Sequence, residues 1–329
     1  MSLRRPTSID VAREAQVSQS AVSRTFTPGA SVSPATRAKV LAAATKLGYQ
    51  PNMLPRLLQN EQTGIVAIVT GDLSHPFYAE VLGTLTAALR QAGRMVMLVN
   101  VDSDTALDAV VADLTRYRVD AVVSALAVQT RAAADTIAAM RTPVIQLAHG
   151  VRSKGIWTVN VDNHAVGRQA ADLLLARGGS RFGYLAGPDT PTQRRREQGY
   201  VARLRDLGHA VVVGRSASFT HRGGFDAATR LLSAEPINAL FCVNDLVACG
   251  AIDAAHQAEL AVPAGLRIAG VDNIVQADWP GYALTSFDQQ VDQLTSLVVA
   301  TVSDLEASPA EQLIPPQLVE RRSTLVGVA

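Results

Sequence analysis

The first side chains that could do chemistry lie in a short polar run near the amino terminus. This run places amide, hydroxyl and guanidinium groups on one side of a potential helix, at Gln19, Ser20, Ser23 and Arg24. Val22 and Phe26, four residues apart, share the opposite, apolar side. Polar groups of these types read base edges in a DNA groove. We therefore predict a DNA-reading helix. For any single one of the four side chains, the alternative is an ordinary solvated surface position.

The sequence around this run carries the signals of three short helices. Each is expected to begin after a hydroxyl side chain that accepts hydrogen bonds from free helix N–H groups, at Thr7, Ser18 and Ser33. The helices are predicted to end near Gln16, Phe26 and Gly48. On the third helix, the apolar side chains at helical spacing are Val40, Leu41, Ala44 and Leu47. Two helices joined by a tight turn and braced by a third predict a helix-turn-helix unit, whose second helix enters the major groove.

Charge is distributed unevenly along the chain, although the net charge of all 329 residues is only +1. Residues 1–60 hold eight Lys and Arg against two acids, a net +6, and the remainder holds 22 against 27, a net −5. Clustered cations gain free energy by displacing counterions from phosphates. The split predicts a polyanionic partner for the amino-terminal segment alone.

From Gly64 onward, apolar runs alternate with alanine-rich amphipathic stretches. The runs that we predict as strands are residues 65–69, 95–99, 121–123, 144–147, 157–161, 182–185, 210–213, 240–243, 268–271 and 284–287. Helices are expected between several of them, among others at 76–91, 166–176, 195–207, 223–232 and 246–258. Near-continuous apolar strands separated by helices predict parallel sheets covered on both faces. Two such units are expected, one before and one after about residue 161.

Four linked motifs within residues 7–58 resemble the head of the lactose/galactose repressor (LacI/GalR) family. In chain order they are Asp-Val-Ala-Arg-Glu-Ala, Val-Ser-Gln-Ser-Ala-Val-Ser-Arg, Val-Ser-Pro-Ala-Thr-Arg-Ala-Lys-Val and Leu-Gly-Tyr-Gln-Pro-Asn. The resemblance implies an α/β protein with an all-α helix-turn-helix head at residues 1–49, a hinge helix or linker at 50–62, and a two-lobed, periplasmic-binding-protein-like core of parallel sheets at 63–329. The first lobe would comprise about 63–161 and 288–314, and the second about 162–287 and 315–329.

The same resemblance gives roles to individual residues of the head. Gln19 and Ser20 match the variable base-reading positions, and Arg24 matches a further base-edge position. Ser18 and Ser23 match contacts to phosphates or to the groove. These five residues are the DNA-binding set that we predict for the folded part of the head.

The hinge is expected to be a conditional helix, because a segment of eight or nine residues is too short to be helical by itself in water. Asn52 is placed at its cap and among the DNA-binding residues, and Leu58 matches the leucine that wedges a central base step from the minor groove. Two positions depart from the family pattern. Gln16 replaces a turn glycine at a left-handed position, and Pro55 replaces an alanine in the hinge.

In the core, the resemblance implies a ligand cleft at the carboxyl ends of the strands. The candidate effector-binding residues are Phe77, Tyr78, Arg196, Phe219, Asn244 and Asp272. The two adjacent aromatic rings follow the first strand and could stack on a ligand, while the alternative for them is packing against the core. Both members of the Asn244-Asp245 pair could cap the following helix. We assign the capping role to Asp245, and the ligand role to Asn244 and Asp272.

These features predict a ligand-responsive transcriptional repressor that binds a near-palindromic operator as a homodimer and is controlled by a small molecule, with a sugar as the first choice and a nucleoside or organic acid as the second. A solute-capture protein would need an export signal, and no such apolar segment begins the chain. An enzyme would need a catalytic motif such as G-x-G-x-x-G, a Walker loop or G-x-S-x-G, and none is present. We expect no enzyme activity, cofactor, metal or membrane partner, and a cytoplasmic, nucleoid-associated protein. Cys242 and Cys249 are expected to be buried, reduced thiols.

Overall fold

The computed structural model describes residues 6–27, 29–50, 63–71, 73–101, 107–306 and 308–325. Contacts within the chain divide it into two compact units, Met1–Thr63 and Gly64–Ala329. We call them the head unit and the core unit, and each is described by itself below.

The head unit contains the three predicted helices, α1 (Ser8–Ala15), α2 (Gln19–Thr25) and α3 (Pro34–Leu47). Their starts are those expected from the sequence, because the hydroxyls of Thr7, Ser18 and Ser33 each accept a hydrogen bond from a helix N–H. Asp10 completes a reciprocal capping box on α1, accepting from the Thr7 N–H at 2.9 Å. Gln16 ends α1 with φ 53°, which confirms the predicted left-handed turn position.

A small apolar core holds the three helices together. Its central members are Val11, Val22 and Val40, one from each helix, and all three are fully buried. The expectation that Leu41 also faces inward is wrong, since 45% of its surface is exposed. At 100° per residue, Val40 shares its inner face with Ala43 and Ala44 rather than with its immediate neighbour.

The described part of the core unit contains twelve strands and eight helices. The strands are β1 (Ile65–Thr70), β2 (Met95–Asn100), β3 (Ala121–Ser124), β4 (Val144–Gln146), β5 (Ile156–Val161), β6 (Phe182–Ala186), β7 (Val211–Arg215), β8 (Ala239–Cys242), β9 (Arg267–Val271), β10 (Thr285–Asp288), β11 (Glu311–Ile314) and β12 (Gln317–Val319). The helices are α4 (Pro76–Gln91), α5 (Leu107–Thr115), α6 (Arg131–Met140), α7 (Asn163–Ala176), α8 (Pro191–Asp206), α9 (His221–Ala234), α10 (Asp245–Gln257) and α11 (Val291–Ser303). All ten predicted strands are confirmed to within two residues at each end.

These strands form two six-stranded sheets, which confirms the predicted two-lobed α/β architecture. The first sheet has the order β11-β5-β4-β3-β1-β2 and is parallel throughout. The second has the order β12-β10-β9-β8-β6-β7, in which only β12 runs antiparallel to its neighbour. Near-continuous burial along β1, β3, β5 and β6 agrees with sheets that are covered on both faces.

The chain passes between the sheets three times, and each passage is short. It leaves the first sheet after Val161 and after Ile314, and it leaves the second after Asp288. Only Pro315 and Pro316 separate β11 from β12, so the chain continues straight from the carboxyl edge of one sheet into the carboxyl edge of the other. This explains why β12 is antiparallel in its sheet. It also places the carboxyl ends of the two sets of parallel strands opposite each other.

Candidate DNA-reading surface and effector cleft

The predicted DNA-binding side chains of α2 lie together on the solvent side of that helix. Ser18, Gln19, Ser20, Ser23 and Arg24 are all exposed, opposite the buried Ala21 and Val22. The Ser18 hydroxyl accepts from the Ala21 N–H at 3.2 Å, so it serves as the helix cap. The structure therefore presents these five residues on one surface. The hinge residues Asn52, Pro55 and Leu58 lie outside the described residues.

In the core unit, Arg196 is a buried member of the predicted effector residues. Its side chain is 6% exposed, which is unusual for a guanidinium. Nε donates to Asn163 Oδ1 at 2.6 Å and Nη1 donates to the Val243 carbonyl at 2.5 Å. Nη2 lies 3.9 Å from Asp272 Oδ1, beyond hydrogen-bonding distance. Arg196 thus links the first turn of α7, the end of β8 and the turn after β9.

Asp272 follows β9 and is almost as deeply buried as Arg196. Gln289, in the passage between β10 and α11, donates from Nε2 to Asp272 Oδ1 at 2.6 Å. Burial raises the pKa of the Asp272 carboxyl, and the nearby Arg196 guanidinium opposes that rise. Among the described residues, the polar contact of the other oxygen, Oδ2, is with His75 Nε2 at 3.8 Å. Asp272 therefore keeps an acceptor that a ligand hydroxyl or N–H can use.

Asn244 joins the cleft to the amino terminus of α10. Its Oδ1 accepts from the Val247 N–H at 2.9 Å, so Asn244 is the helix cap. The expectation that Asp245 caps this helix is wrong, because its carboxylate is buried beneath the turn after β9. With its oxygen occupied, Asn244 faces His75 through Nδ2, at 2.9 Å from Nε2. Nε2 of His75 is therefore the acceptor in this contact, which joins the first sheet's α4 to the second sheet's α10.

The three aromatic candidates differ in their surroundings. Phe77 is 8% exposed and belongs to the main apolar core. In this structure its ring packs against the core, which was the alternative to a stacking role. Tyr78 is half-buried, and its ring centroid lies 5.4 Å from that of Phe77 and 5.5 Å from that of His75. Phe219 is half-buried and covers Gly187, where an added Cβ would lie 2.2 Å from the Phe219 ring. Tyr78 and Phe219 are thus the two rings with surface left to offer.

Three buried side chains of the cleft were not predicted from the sequence, namely His149, Asn163 and Gln289. Asn163 Oδ1 is occupied by Arg196, so its Nδ2 faces His149 Nε2, at 3.1 Å. Burial, followed by the charges of Arg195 and Arg196, lowers the pKa of His149 to about 4. The stretch Asn-Val-Asp-Asn-His at residues 160–164 lies where the chain passes from β5 to α7. No local signal distinguishes His149 or Gln289 from surface residues.

Paired glycines set the depth at which the helices of the second lobe pack and so position the cleft residues. A Cβ at Gly167 on α7 would lie 2.1 Å from the Arg196 carbonyl, and one at Gly199 on α8 would lie 2.1 Å from the His164 carbonyl. Gly224 on α9 and Gly250 on α10 approach the partner helix in the same way. A Cβ at Gly224 would lie 2.4 Å from the Val247 carbonyl oxygen, and one at Gly250 would lie 2.1 Å from the His221 carbonyl oxygen. Arg196 lies in the second turn of α8 and Asn244 caps α10, so both belong to helices held this closely.

No helix in the described ranges is long and apolar enough to cross a membrane. Nor does that part of the chain bring together three or more His, Cys, Asp or Glu side chains in a way that could hold a metal ion. Cys242 and Cys249 are buried free thiols.

A helix-turn-helix head joined to a two-sheet core with a buried polar cluster at the strand ends defines a class of DNA-binding transcriptional regulators. Comparison with known families agrees. Residues 9–52 match the family described as bacterial regulatory proteins, lacI family, and residues 171–324 match the periplasmic binding protein-like domain. The chain belongs to the lacI family of bacterial regulatory proteins, which confirms the resemblance seen in the sequence.

Similar proteins cover nearly the whole chain. The ribose operon repressor of Escherichia coli (strain K12) is 30% identical over 325 residues, covering 95% of this chain and 98% of that protein. Among solved structures, the complex of the transcriptional regulator CelR with cellobiose is 27% identical, with a TM-score of 0.69 and coverage of 97% and 100%. The lac repressor dimer bound to operator and the anti-inducer ONPF has a TM-score of 0.88 at 24% identity, with coverage of 98% and 100%, and shares the fold.

Proposed function

We propose that this regulator is a repressor that binds a near-palindromic operator as a homodimer and responds to a neutral sugar bound between its two lobes. The observation that carries the proposal is the arrangement of Arg196 and Asp272. Both are buried in the same cleft, and Nη2 of one lies 3.9 Å from Oδ1 of the other. Each retains hydrogen-bonding capacity that the described residues do not use.

A sugar suits this arrangement because each hydroxyl donates one hydrogen bond and accepts others. A hydroxyl placed between the two groups would accept from Arg196 Nη2 and donate to Asp272. The guanidinium and the carboxylate lie close together, so their formal charges offset each other and favour a neutral ligand over a sugar acid or a phosphate. The half-buried rings of Tyr78 and Phe219 would cover the apolar faces of a sugar ring. The names of two relatives agree, since one is the ribose operon repressor and another was solved with cellobiose.

The cleft is suited to regulation because both lobes contribute to it. His75 belongs to the first lobe, and Asn244 and Asp272 belong to the second. A ligand that changes the distances among these groups changes the relation of the lobes. Such a ligand shifts an equilibrium only as far as its affinities for the two arrangements differ. The proposal therefore requires that the lobe arrangement affects operator binding.

Homodimer formation is proposed through the first lobe. The outward side of α4 carries the small exposed residues Ala79, Gly83 and Ala87, each four residues from the next. The neighbouring edge strand β2 exposes Met95 and Leu98, at 64% and 46% of their surfaces. Small side chains permit close approach of two helices, and exposed apolar side chains gain by burial. A two-fold dimer would present two heads to two half-sites.

In the head, α2 is proposed to read the major groove through Gln19, Ser20 and Arg24, with Ser18 and Ser23 near the phosphates. Asn52 and Leu58 are proposed to act in the hinge at the minor groove, on the basis of the family resemblance. A location on the nucleoid would follow from the DNA partner.

A thermal-shift panel tests the ligand class. Purified protein would be screened against neutral aldoses that include D-ribose and cellobiose, sugar acids, sugar phosphates and nucleosides. We expect a neutral sugar to raise the melting temperature, because bound ligand stabilises the folded state by mass action. Asp272→Asn should remove the shift, whereas Asp189→Asn, a change at an exposed carboxylate paired with Arg194, should preserve it. Stabilisation by anionic ligands alone would contradict the neutral-sugar assignment.

A further inference from the structure

Beneath the cleft lies a buried carboxylate that the proposed function does not use. Asp245 is the first residue of α10 and is fully buried. Among the described residues it forms no ion pair within 4.0 Å, and burial, together with the nearby Asp272, raises its pKa well above the usual range. Keeping an unpaired acidic group in the interior costs stability unless hydrogen bonds satisfy it. The hydrogen bonds of Asp245 therefore identify the part of the structure that this carboxylate fixes in place.

Those hydrogen bonds end on one turn. Ile274 donates its backbone N–H to Asp245 Oδ2 at 3.0 Å. Ser286 Oγ lies 2.7 and 2.9 Å from the two carboxylate oxygens, and the same Oγ accepts the Asn273 N–H at 2.9 Å. Two consecutive backbone N–H groups are thus held by the Asp245–Ser286 pair.

The turn that they hold has an unusual backbone. Asp272 and Asn273 have φ values of 111° and 53°, in the region that side-chain-bearing residues rarely adopt. Such conformations cost about 1–3 kcal/mol each and persist only where the surroundings fix them. Asp272 is the residue whose carboxylate faces Arg196 and Gln289 in the cleft. The direction of this carboxylate therefore depends on the backbone that Asp245 and Ser286 hold.

The fold also reserves space for Asp245. A Cβ at Gly270, on the strand that leads into the turn, would lie 2.2 Å from Asp245 Oδ1. Any side chain at that position would displace the carboxylate. The adjacent residue Asn244 caps α10 and reaches His75. The start of α10 thus contributes Asn244 to the cleft directly and reaches Asp272 indirectly, through Asp245.

We propose that Asp245 and Ser286 are positioning residues for effector binding, which hold the 272–274 turn so that the Asp272 carboxylate points into the cleft. The proposal rests on the proposed sugar site, but it concerns residues that do not touch the ligand. A purely structural role would give a general loss of stability. If they are positioning residues, replacing them displaces the Asp272 carboxylate specifically.

Four variants of the full-length protein separate these roles. Ser286→Ala removes the acceptor of the Asn273 N–H and one partner of Asp245. Asp245→Asn keeps an oxygen for Ile274 and an N–H for Ser286, so it should retain the turn. Ser323→Ala is the matched control, because Ser323 is 1% exposed and bonds Thr285 N and Ile268 O in the same sheet without touching the turn. Asp272→Asn removes the positioned group itself.

The first measurement needs no ligand. Carboxyl spectra of protein labelled with 13C-aspartate would follow the titration of Asp272, and hydrogen exchange would follow the amides of Asn273 and Ile274. In Ser286→Ala we expect exchange of these amides to become about tenfold faster, the effect of losing one hydrogen bond. The Asp272 pKa should move toward its usual value as the carboxyl becomes solvated. Asp245→Asn and Ser323→Ala should behave as wild type at both sites. An unchanged Asp272 titration in Ser286→Ala would overturn the proposal, and so would an equal response in Ser323→Ala.

The second measurement uses D-ribose as the probe and isothermal calorimetry. Ser286→Ala should weaken ribose binding about tenfold, whereas Ser323→Ala should bind ribose as wild type does and Asp272→Asn should not bind it measurably. Equal losses in Ser286→Ala and Ser323→Ala would overturn the positioning role. If wild type binds no ribose, the choice of ribose as the effector fails, while the ligand-free titration of Ser286→Ala still decides whether the Asp245–Ser286 pair holds the turn.

Discussion

Replacing Gly199 with Ala should damage the effector site by separating two helices. Gly199 lies on α8 against α7, and the added Cβ would be 2.1 Å from the His164 carbonyl oxygen. Carbon and oxygen atoms in contact normally lie about 3.3 Å apart, so α8 must retreat by roughly 1 Å. The obstacle is helix backbone, which cannot turn aside as a side chain can. Overpacking of this kind costs about 1–3 kcal/mol.

A second cost arises at Arg196, one turn earlier on the same helix. Its hydrogen bonds to Asn163 and Val243, at 2.6 and 2.5 Å, leave no slack for a shift of that size. Weakening hydrogen bonds of a buried charged group adds about 1–3 kcal/mol. The expected total loss for Gly199→Ala is therefore roughly 2–6 kcal/mol.

Urea unfolding followed by tryptophan fluorescence measures this loss in the correct unit, because Trp157 and Trp279 both lie in the core unit. The control is Gly281→Ala in the exposed turn before β10, where an added Cβ meets no atom within 4 Å. Replacing a glycine that has free space around it with alanine should increase stability by up to about 1 kcal/mol. A loss below about 1 kcal/mol for Gly199→Ala would refute the reasoning, and equal behaviour of the two variants would refute it too.

Three further outcomes are expected. Arg24→Ala should cost about 1–3 kcal/mol of operator affinity and relax specificity at one base pair, as measured by binding to single-substituted duplexes; uniform weakening on all sequences would make Arg24 a phosphate contact. Ser33→Ala should destabilise the head by about 1 kcal/mol through loss of the α3 cap, as measured by thermal unfolding of the isolated head unit, and an unchanged melting temperature would contradict it. The pKa of His149 is lowered to about 4 in the folded protein, whereas the unfolded chain binds this proton below about pH 6.5. The free energy of unfolding should therefore fall by roughly 3 kcal/mol as the pH is lowered from about 6.5 to about 4. His149→Gln should lose that part of the pH dependence, and identical profiles for variant and wild type would be evidence against the assignment.

The sequence predicted the elements well where each signal was local. The caps Thr7, Ser18 and Ser33 mark helix starts because a hydroxyl satisfies N–H groups only two or three residues away. Apolar runs predicted strands because burial on both faces leaves no room for polar side chains. Strands β11 and β12 were not predicted because the polar residues Glu311, Gln312 and Gln317 leave neither strand with an apolar run.

The candidate site was less predictable because its geometry depends on residues far apart in the chain. The choice between Asn244 and Asp245 as helix cap could not be made from their types, since both accept hydrogen bonds from helix N–H groups. The turn after β9 decided it, because Ile274 and Ser286 provide partners that only a buried carboxylate at 245 reaches. His149 likewise became a cleft residue only through its contact with an asparagine brought near by the passage between lobes.

The most direct test of the account is whether a ligand in the cleft changes DNA binding by the head. Fluorescence anisotropy would measure the dissociation constant for an operator duplex selected in vitro, with and without saturating amounts of the sugar that stabilises the protein most. For wild type we expect a change of about tenfold or more, corresponding to a coupling free energy of about 1–3 kcal/mol. Asp272→Asn should bind the operator as wild type does without sugar, and should show no response to it. An operator affinity of wild type that is the same with and without sugar would contradict the central claim, as would an equal response from the variant.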